Sequence, residues 1–134
     1  MIEKDVTEGV IGGAIEVHRT LGPGLLESVY EECLAVELGL RGLRCERQRP
    51  IPLEYKGRRL GVDLKIDLLV DDRIVVELKA VENLLPVHEA QLITYLRLSG
   101  KEVGLLINFN VPLLKDGLRR FLNSPPLRAS VSPW

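Results

Sequence analysis

Three scarcities mark this 134-residue chain: it has only two cysteines, no long apolar run and almost no net charge, with 18 Lys and Arg against 19 Asp and Glu. Each excludes something. Cys33 and Cys45 fall on different predicted elements without C-x-x-C spacing, so they define neither a zinc site nor an iron–sulfur cluster, and reduced, mostly buried thiols are expected. No apolar stretch approaches the roughly 18 to 20 residues of a membrane span. The acidic opening Met1-Ile2-Glu3-Lys4-Asp5 lacks the basic and apolar regions of an export signal, so a cytoplasmic location without membrane partners is expected. A formal net charge of −1 argues against a strong non-specific nucleic-acid binder.

What is present fits one soluble domain over residues 1–134: 46% hydrophobic and 28% charged residues, enough to bury a core without disulfides or structural metal. We place the core at about 6–123 and expect residues 124–134, rich in Ser and Pro, to be a flexible tail. The charge is unevenly spread. Seven basic residues between Arg41 and Arg59 (Arg41, Arg44, Arg47, Arg49, Lys56, Arg58, Arg59) face two acids, Glu46 and Glu54, whereas up to Glu37 eight acids face Lys4 and Arg19. The basic segment reads equally as a phosphate-facing surface or as a solvated, arginine-rich edge hairpin.

Val6, Val10, Ile11, Ala14, Val17, His18 and Leu21 recur at helical spacing to about Thr20, behind a capping-box pattern at Asp5 and Glu8. Gly22-Pro23-Gly24 breaks this helix, and Leu26, Val29, Tyr30, Cys33 and Leu34 form a second, with Gly39 as its expected stop. From Leu43 the period changes to two. Strands are predicted from Leu43 through Gln48, from Ile51 to Tyr55, from Arg59 to Val70 and from Ile74 to Ala80, with Pro50 and Pro52 marking a sheet edge. A helix follows Pro86 and stops at Gly100, then an apolar strand, Val103 to Phe109, a turn at Lys115-Asp116-Gly117 and a short element from Leu118 to Leu122. The order α-α-β-β-β-β-α-β gives an α/β fold with a central mixed sheet flanked by helices.

The chemistry concentrates on two of these strands. Glu77 and Lys79 must project from the same face, because side chains alternate along a strand. A two-residue loop at Asp71-Asp72 would put Asp67 and Glu77 on opposite faces; a three-residue loop, Asp71 to Arg73, pairs Val70 with Ile74, Asp67 with Glu77 and Lys65 with Lys79 on one face. The second register is predicted, because two carboxylates about 4.5 to 5.5 Å apart at Cβ can share one cation. Asp67 and Glu77, with the Leu78 carbonyl, would then hold Mg²⁺ or Mn²⁺, and Lys79 would orient water and offset charge. Spacing alone also allows a plain cross-strand salt bridge among Lys65, Asp67, Glu77 and Lys79. Asp63 shares the strand face with Asp67 but lies four residues further from Glu77, which makes it the poorer ligand.

Three motifs stand in order along the chain: Gly24-Leu25-Leu26-Glu27-Ser28-Val29-Tyr30, then Asp67 followed by Glu77-Leu78-Lys79, then Gln91-Leu92-Ile93-Thr94-Tyr95. They resemble the GxxExxY family, a branch of the PD-(D/E)XK nuclease superfamily, from about Val6 to Asn123, and the third is similar to the QxxxY signature of RecB-like nucleases. The resemblance implies a restriction-endonuclease-like core with its site at one sheet edge and a Mg²⁺- or Mn²⁺-dependent nuclease acting on nucleic acid, DNA first and RNA not excluded. Asp67 and Glu77 become metal ligands, Lys79 the catalytic lysine, and Glu27 the acid that completes the metal site, although beside Glu31 and Glu32 it reads equally as a solvent-facing helical acid. Gln91 and Tyr95, sharing a helix face, would contact DNA phosphate or brace Lys79, and Tyr30 would face the sheet beside Glu27 or serve as a core tyrosine. His88, one turn before Gln91, reads either as a member of this group or as a hydrogen-bonded surface residue; His18 receives no role. So small a chain implies a homodimer or a protein partner. The rival reading is a non-catalytic nucleic-acid- or protein-binding module that keeps the fold, and a third is hydrolysis of nucleotides or other phosphoesters.

Overall fold

The computed structural model describes residues 2–123; the expected flexible tail, 124–134, lies outside the described residues. Its elements are α1 (Glu3–Leu21), α2 (Glu27–Leu40), β1 (Cys45–Tyr55), β2 (Arg58–Val70), β3 (Ile74–Lys79), α3 (Pro86–Ser99), β4 (Val103–Asn108), a 3₁₀ turn (Leu114–Gly117) and β5 (Leu118–Leu122). One mixed sheet in the order β1-β2-β3-β4-β5 carries them, antiparallel except where β3 and β4 run parallel across the α3 crossover. The α/β architecture is as expected.

Three local expectations change. The strands foreseen on either side of Pro50 are one continuous strand, and because β1 is an edge strand the missing proline N–H groups break no inner ladder. Asp5 and Glu8 do not cap α1. The helix starts earlier, with Ile2 at the N-cap accepting backbone bonds from Asp5 and Val6, which leaves Asp5 in the first turn, where a carboxylate favours the helix dipole. Nor does Gly39 stop α2: the left-handed residue that closes it is Gly42 (φ 80°), followed by a Leu43 N–H bond to the Leu38 carbonyl.

The sheet is covered on both faces. Under α1 and α2, Val6, Val10, Ala14, Tyr30 and Leu34 pack against Leu68, Val70, Val76, Leu78 and Leu105. Under α3, Leu92, Tyr95 and Leu96 pack against Ile66, Leu69, Val75 and Leu106. The central strands are therefore apolar on both sides, and any charge on them must be compensated in place. Cys33 and Cys45 are free and half-buried.

Candidate functional site

The β2–β3 connection fixes the register. Asp71 and Asp72 take up left-handed backbone (φ 51° and 56°), a conformation that Asp tolerates better than most residues, and the three-residue loop pairs Val70 with Ile74, Leu69 with Val75 and Leu68 with Val76. The expected loop length is the one observed. Asp67 and Glu77 come next, and there the carboxylates replace the backbone ladder: the Asp67 N–H donates to Glu77 Oε2 at 2.9 Å, and the Leu78 N–H donates to Asp67 Oδ2 at 2.9 Å. Lys65 and Lys79 form no ladder pair. Both carboxylates stand on inner strands, β2 and β3, so the site is not at the sheet edge.

A second feature aims Asp67. Ile66 and Leu69 pack together under α3, while Leu68 and Val70 pack under α1 and α2, so strict alternation slips between Ile66 and Leu68. The same slip occurs on β1, where Cys45 lies on the α1–α2 side and Ile51 on the α3 side. Gln48, which faces Asp67 by count, has φ 52° and makes no ladder pair. The β1–β2 ribbon thus turns over at Gln48 and Asp67, a local distortion of the kind that re-aims side chains beside functional sites.

The turn frees Gln48 to reach two acids. Its Nε2 donates to Glu31 Oε1 at 2.6 Å and to Asp67 Oδ1 at 3.3 Å. Glu31, on α2, is only 8% exposed and also receives Nε and Nη2 of Arg47 through its other oxygen. Sequence reasoning missed Glu31, Arg47 and Gln48; the signal available was Glu31 one turn beyond Glu27.

On the α3 side, Lys79 Nζ donates to Gln91 Oε1 at 3.2 Å, and Gln91 Nε2 donates to the Tyr95 hydroxyl at 3.1 Å. Gln91 and Tyr95 therefore brace the lysine. None of the ion pairs found among the described residues joins Lys65, Asp67, Glu77 and Lys79, so the plain salt-bridge reading does not describe this cluster. Asp63 stands apart, paired with Arg59 at 3.7 Å. Behind Lys79, buried Asn108 ties down the next loop by bonding both the N–H and the carbonyl of Val81, a further residue the sequence did not flag.

Electrostatics sets Glu77 apart. It is 3% exposed, and burial, then the charge of Asp67, push its carboxyl up to about 9. Glu27, at the N-terminus of α2, is exposed as a residue, but partial desolvation of its carboxyl raises its pKa, while Lys79 acts in the opposite direction and Asp67 and Glu31 add to the rise. It thus borders the pair without a hydrogen bond to it. The Tyr95 hydroxyl is raised by burial and then by Glu77.

The remaining expected residues do other work. Tyr30 is fully buried, stacked on Phe109 at 4.5 Å between ring centroids, and its hydroxyl donates to the Gly22 carbonyl while accepting the Leu25 N–H, so it pins the loop before Glu27. The Leu78 side chain is core, and its N–H holds Asp67. His88 Nδ1 accepts the Leu85 N–H at the start of α3, and His18 Nε2 lies 2.7 Å from the Val111 carbonyl.

Among the described residues no three His, Cys, Asp or Glu side chains are gathered as a ready-made metal cluster. The chemistry of the donor set nevertheless suits a hard divalent cation: two neighbouring acids linked through backbone N–H groups, one pushed toward its neutral form by burial and then by the charge of the other. Among the described residues no helix is long and apolar enough to cross a membrane. A family profile described as the PD-(D/E)XK nuclease superfamily matches residues 4–121. Neither curated proteins nor solved structures gave a match.

Proposed function

The chain belongs to the PD-(D/E)XK nuclease superfamily, and on that premise we propose that it is a Mg²⁺- or Mn²⁺-dependent nuclease of the GxxExxY branch, hydrolysing phosphodiester bonds of nucleic acid, DNA in the first instance. The observation that carries this reading is the contact between Asp67 and Glu77 beside Lys79: two acids and a braced cation at one end of a buried sheet. Asp67 and Glu77 would hold the ion, with Glu27 bordering the site and the Leu78 carbonyl as a further oxygen donor. When bound, such an ion polarises the phosphate and lowers the pKa of attached water.

The chain's own groups supply the rest. Lys79 Nζ donates one hydrogen bond to Gln91 Oε1 and keeps two N–H donors for a phosphate oxygen or the attacking water. Tyr95 and Gln91 hold that ammonium in one place, which reduces the entropy lost on reaching the transition state. The Glu31–Arg47–Gln48 network holds Asp67 from the other side. Its location in the cytoplasm and its action as a homodimer or with a protein partner belong to the same proposal.

The test is a cleavage panel of single-stranded, duplex and branched DNA and of RNA with Mn²⁺. Metal-dependent cleavage of at least one substrate, lost in Lys79→Ala, is expected. Cleavage of none, or cleavage unchanged in Lys79→Ala, favours the rival reading of a non-catalytic binding module.

A further inference from the structure

Beyond the site, the β1–β2 ribbon continues as a two-stranded arm. β2 pairs with β3 only from Leu68 to Val70, and nearly every residue of the ribbon from Pro52 to Lys65 is exposed. Isolated two-stranded hairpins are at best marginally stable in water, so an arm this long calls for a use. Its direction is informative. β2 followed back past Asp67 and β3 followed forward past Glu77 run the same way, so the arm leaves the sheet at the end that carries Asp67, Glu77 and Lys79.

The arm's tip is a two-residue turn with left-handed Lys56 and Gly57 (φ 51° and 78°). Lys56, Arg58 and Arg59 stand there exposed, with the Lys56 ammonium 5.4 Å from the centre of the Tyr55 ring. Tyr55 is itself 63% exposed. Within the tip Glu54, opposite Arg59, is the single acid, and Asp63 lies further back with a long 3.7 Å contact to Arg59. Three cations and an aromatic ring at the end of a ribbon match a phosphate backbone, and a two-stranded ribbon fits a DNA major groove.

We infer that this arm is a duplex-gripping element whose tip cations contact the phosphate backbone to one side of the cleavage position, an inference that rests on the nuclease reading above. Arg58 lies nine residue steps before Asp67 along β2, which at about 3.3 Å each is a reach of roughly 30 Å. That distance spans about nine base pairs at 3.4 Å each. The phosphates of the duplex, not its base edges, are what the tip contacts, since Lys56, Arg58 and Arg59 are exposed cations on long side chains.

The test measures binding of the full chain to a fluorescent blunt DNA duplex of about 30 base pairs by anisotropy, in EDTA, between about 50 and 200 mM salt. Lys56→Glu with Arg58→Glu is compared with wild type, with Lys56→Ala/Arg58→Ala, and with a control of equal charge change at the other edge of the sheet, in β5 and the turn before it, Lys115→Glu/Arg120→Glu. The expected result is a plot of log affinity against log salt that is shallower by about 1.8 for both tip variants, 0.9 for each lost phosphate contact, and little altered in the control. Equal slopes in wild type and tip variants, a control that falls as far, or no duplex binding by the wild type would each overturn the inference. So would a tip variant whose only change is the loss of a dimer in light scattering, which would make the arm a contact between copies of the chain. Lys79-dependent cleavage of single-stranded DNA, measured alongside, reports separately on the nuclease reading.

Discussion

Replacing Glu77 with glutamine isolates the electrostatic feature on which the site rests. Glu77 is 3% exposed and its carboxyl is pushed from the ordinary 4.5 up to about 9, by burial and then by Asp67. Below pH 4.5 the folded and unfolded chains both hold this proton, so it contributes no pH dependence. Above 4.5 the unfolded chain releases it while the folded chain keeps it, and stability must fall as pH rises until about 9, at up to 1.36 kcal/mol per pH unit. Over that window the limit is about 6 kcal/mol, close to the whole stability of many domains. Relaxation and water entry around a buried carboxylate soften this limit, so the loss we expect in metal-free protein is smaller, about 2 to 3 kcal/mol. Glutamine keeps an acceptor for the Asp67 N–H and removes the charge. Glu77→Gln in EDTA should therefore melt higher than wild type at pH 8, by roughly 10 °C, and by little at pH 4.5. Adding Mn²⁺ at pH 8 should raise the wild-type midpoint and leave the variant's almost unchanged. Parallel pH profiles for the two proteins would show that Glu77 does not keep its proton in the folded chain.

Three further outcomes follow from packing and chemistry. Gln48→Gly relieves a left-handed φ of 52° that costs a non-glycine residue about 1 kcal/mol, whereas Gln48→Ala loses the same hydrogen bonds and keeps the strain; glycine should be the more stable of the two in urea melts, reversing the usual order within a strand. Burial raises the Cys45 thiol to about 11, so at pH 8 its alkylation in the folded protein should be slower than in the urea-unfolded chain by roughly a hundredfold, read by mass spectrometry. A Cβ at Gly117 would sit 2.2 Å from the Asn108 carbonyl oxygen, so Gly117→Ala should cost about 2 kcal/mol or more in a thermal melt, while an alanine at Gly39, where nothing lies near, should not destabilise.

Much of this site was legible because its determinants are local. Alternation puts Glu77 beside Lys79, and of the two loop lengths open at Asp71-Asp72 only the three-residue one lets Asp67 meet Glu77, which is the one observed. The four-residue spacing of Gln91 and Tyr95 similarly places them together on α3. The overturned ribbon was not legible. Glutamine carries no preference for positive φ, so nothing at Gln48 announces that strand alternation slips there, and the slip depends on contacts with α2 that exist only in the folded chain. Glu31 was hidden for the same reason: among Glu27, Glu31 and Glu32, only packing decides which acid is buried. Helix ends were misjudged where a nearby residue had the right type, Asp5 or Gly39, but the chain closed its terminus elsewhere.

The central claim, that Asp67 and Glu77 form a cation site, is tested most directly by calorimetric titration of Mn²⁺ into the full chain at pH 8. One saturable site is expected in the wild type, binding with proton release because Glu77 must ionise, and that site should be lost in both Asp67→Ala and Glu77→Ala. No binding by the wild type, or the same binding in both variants, would contradict it.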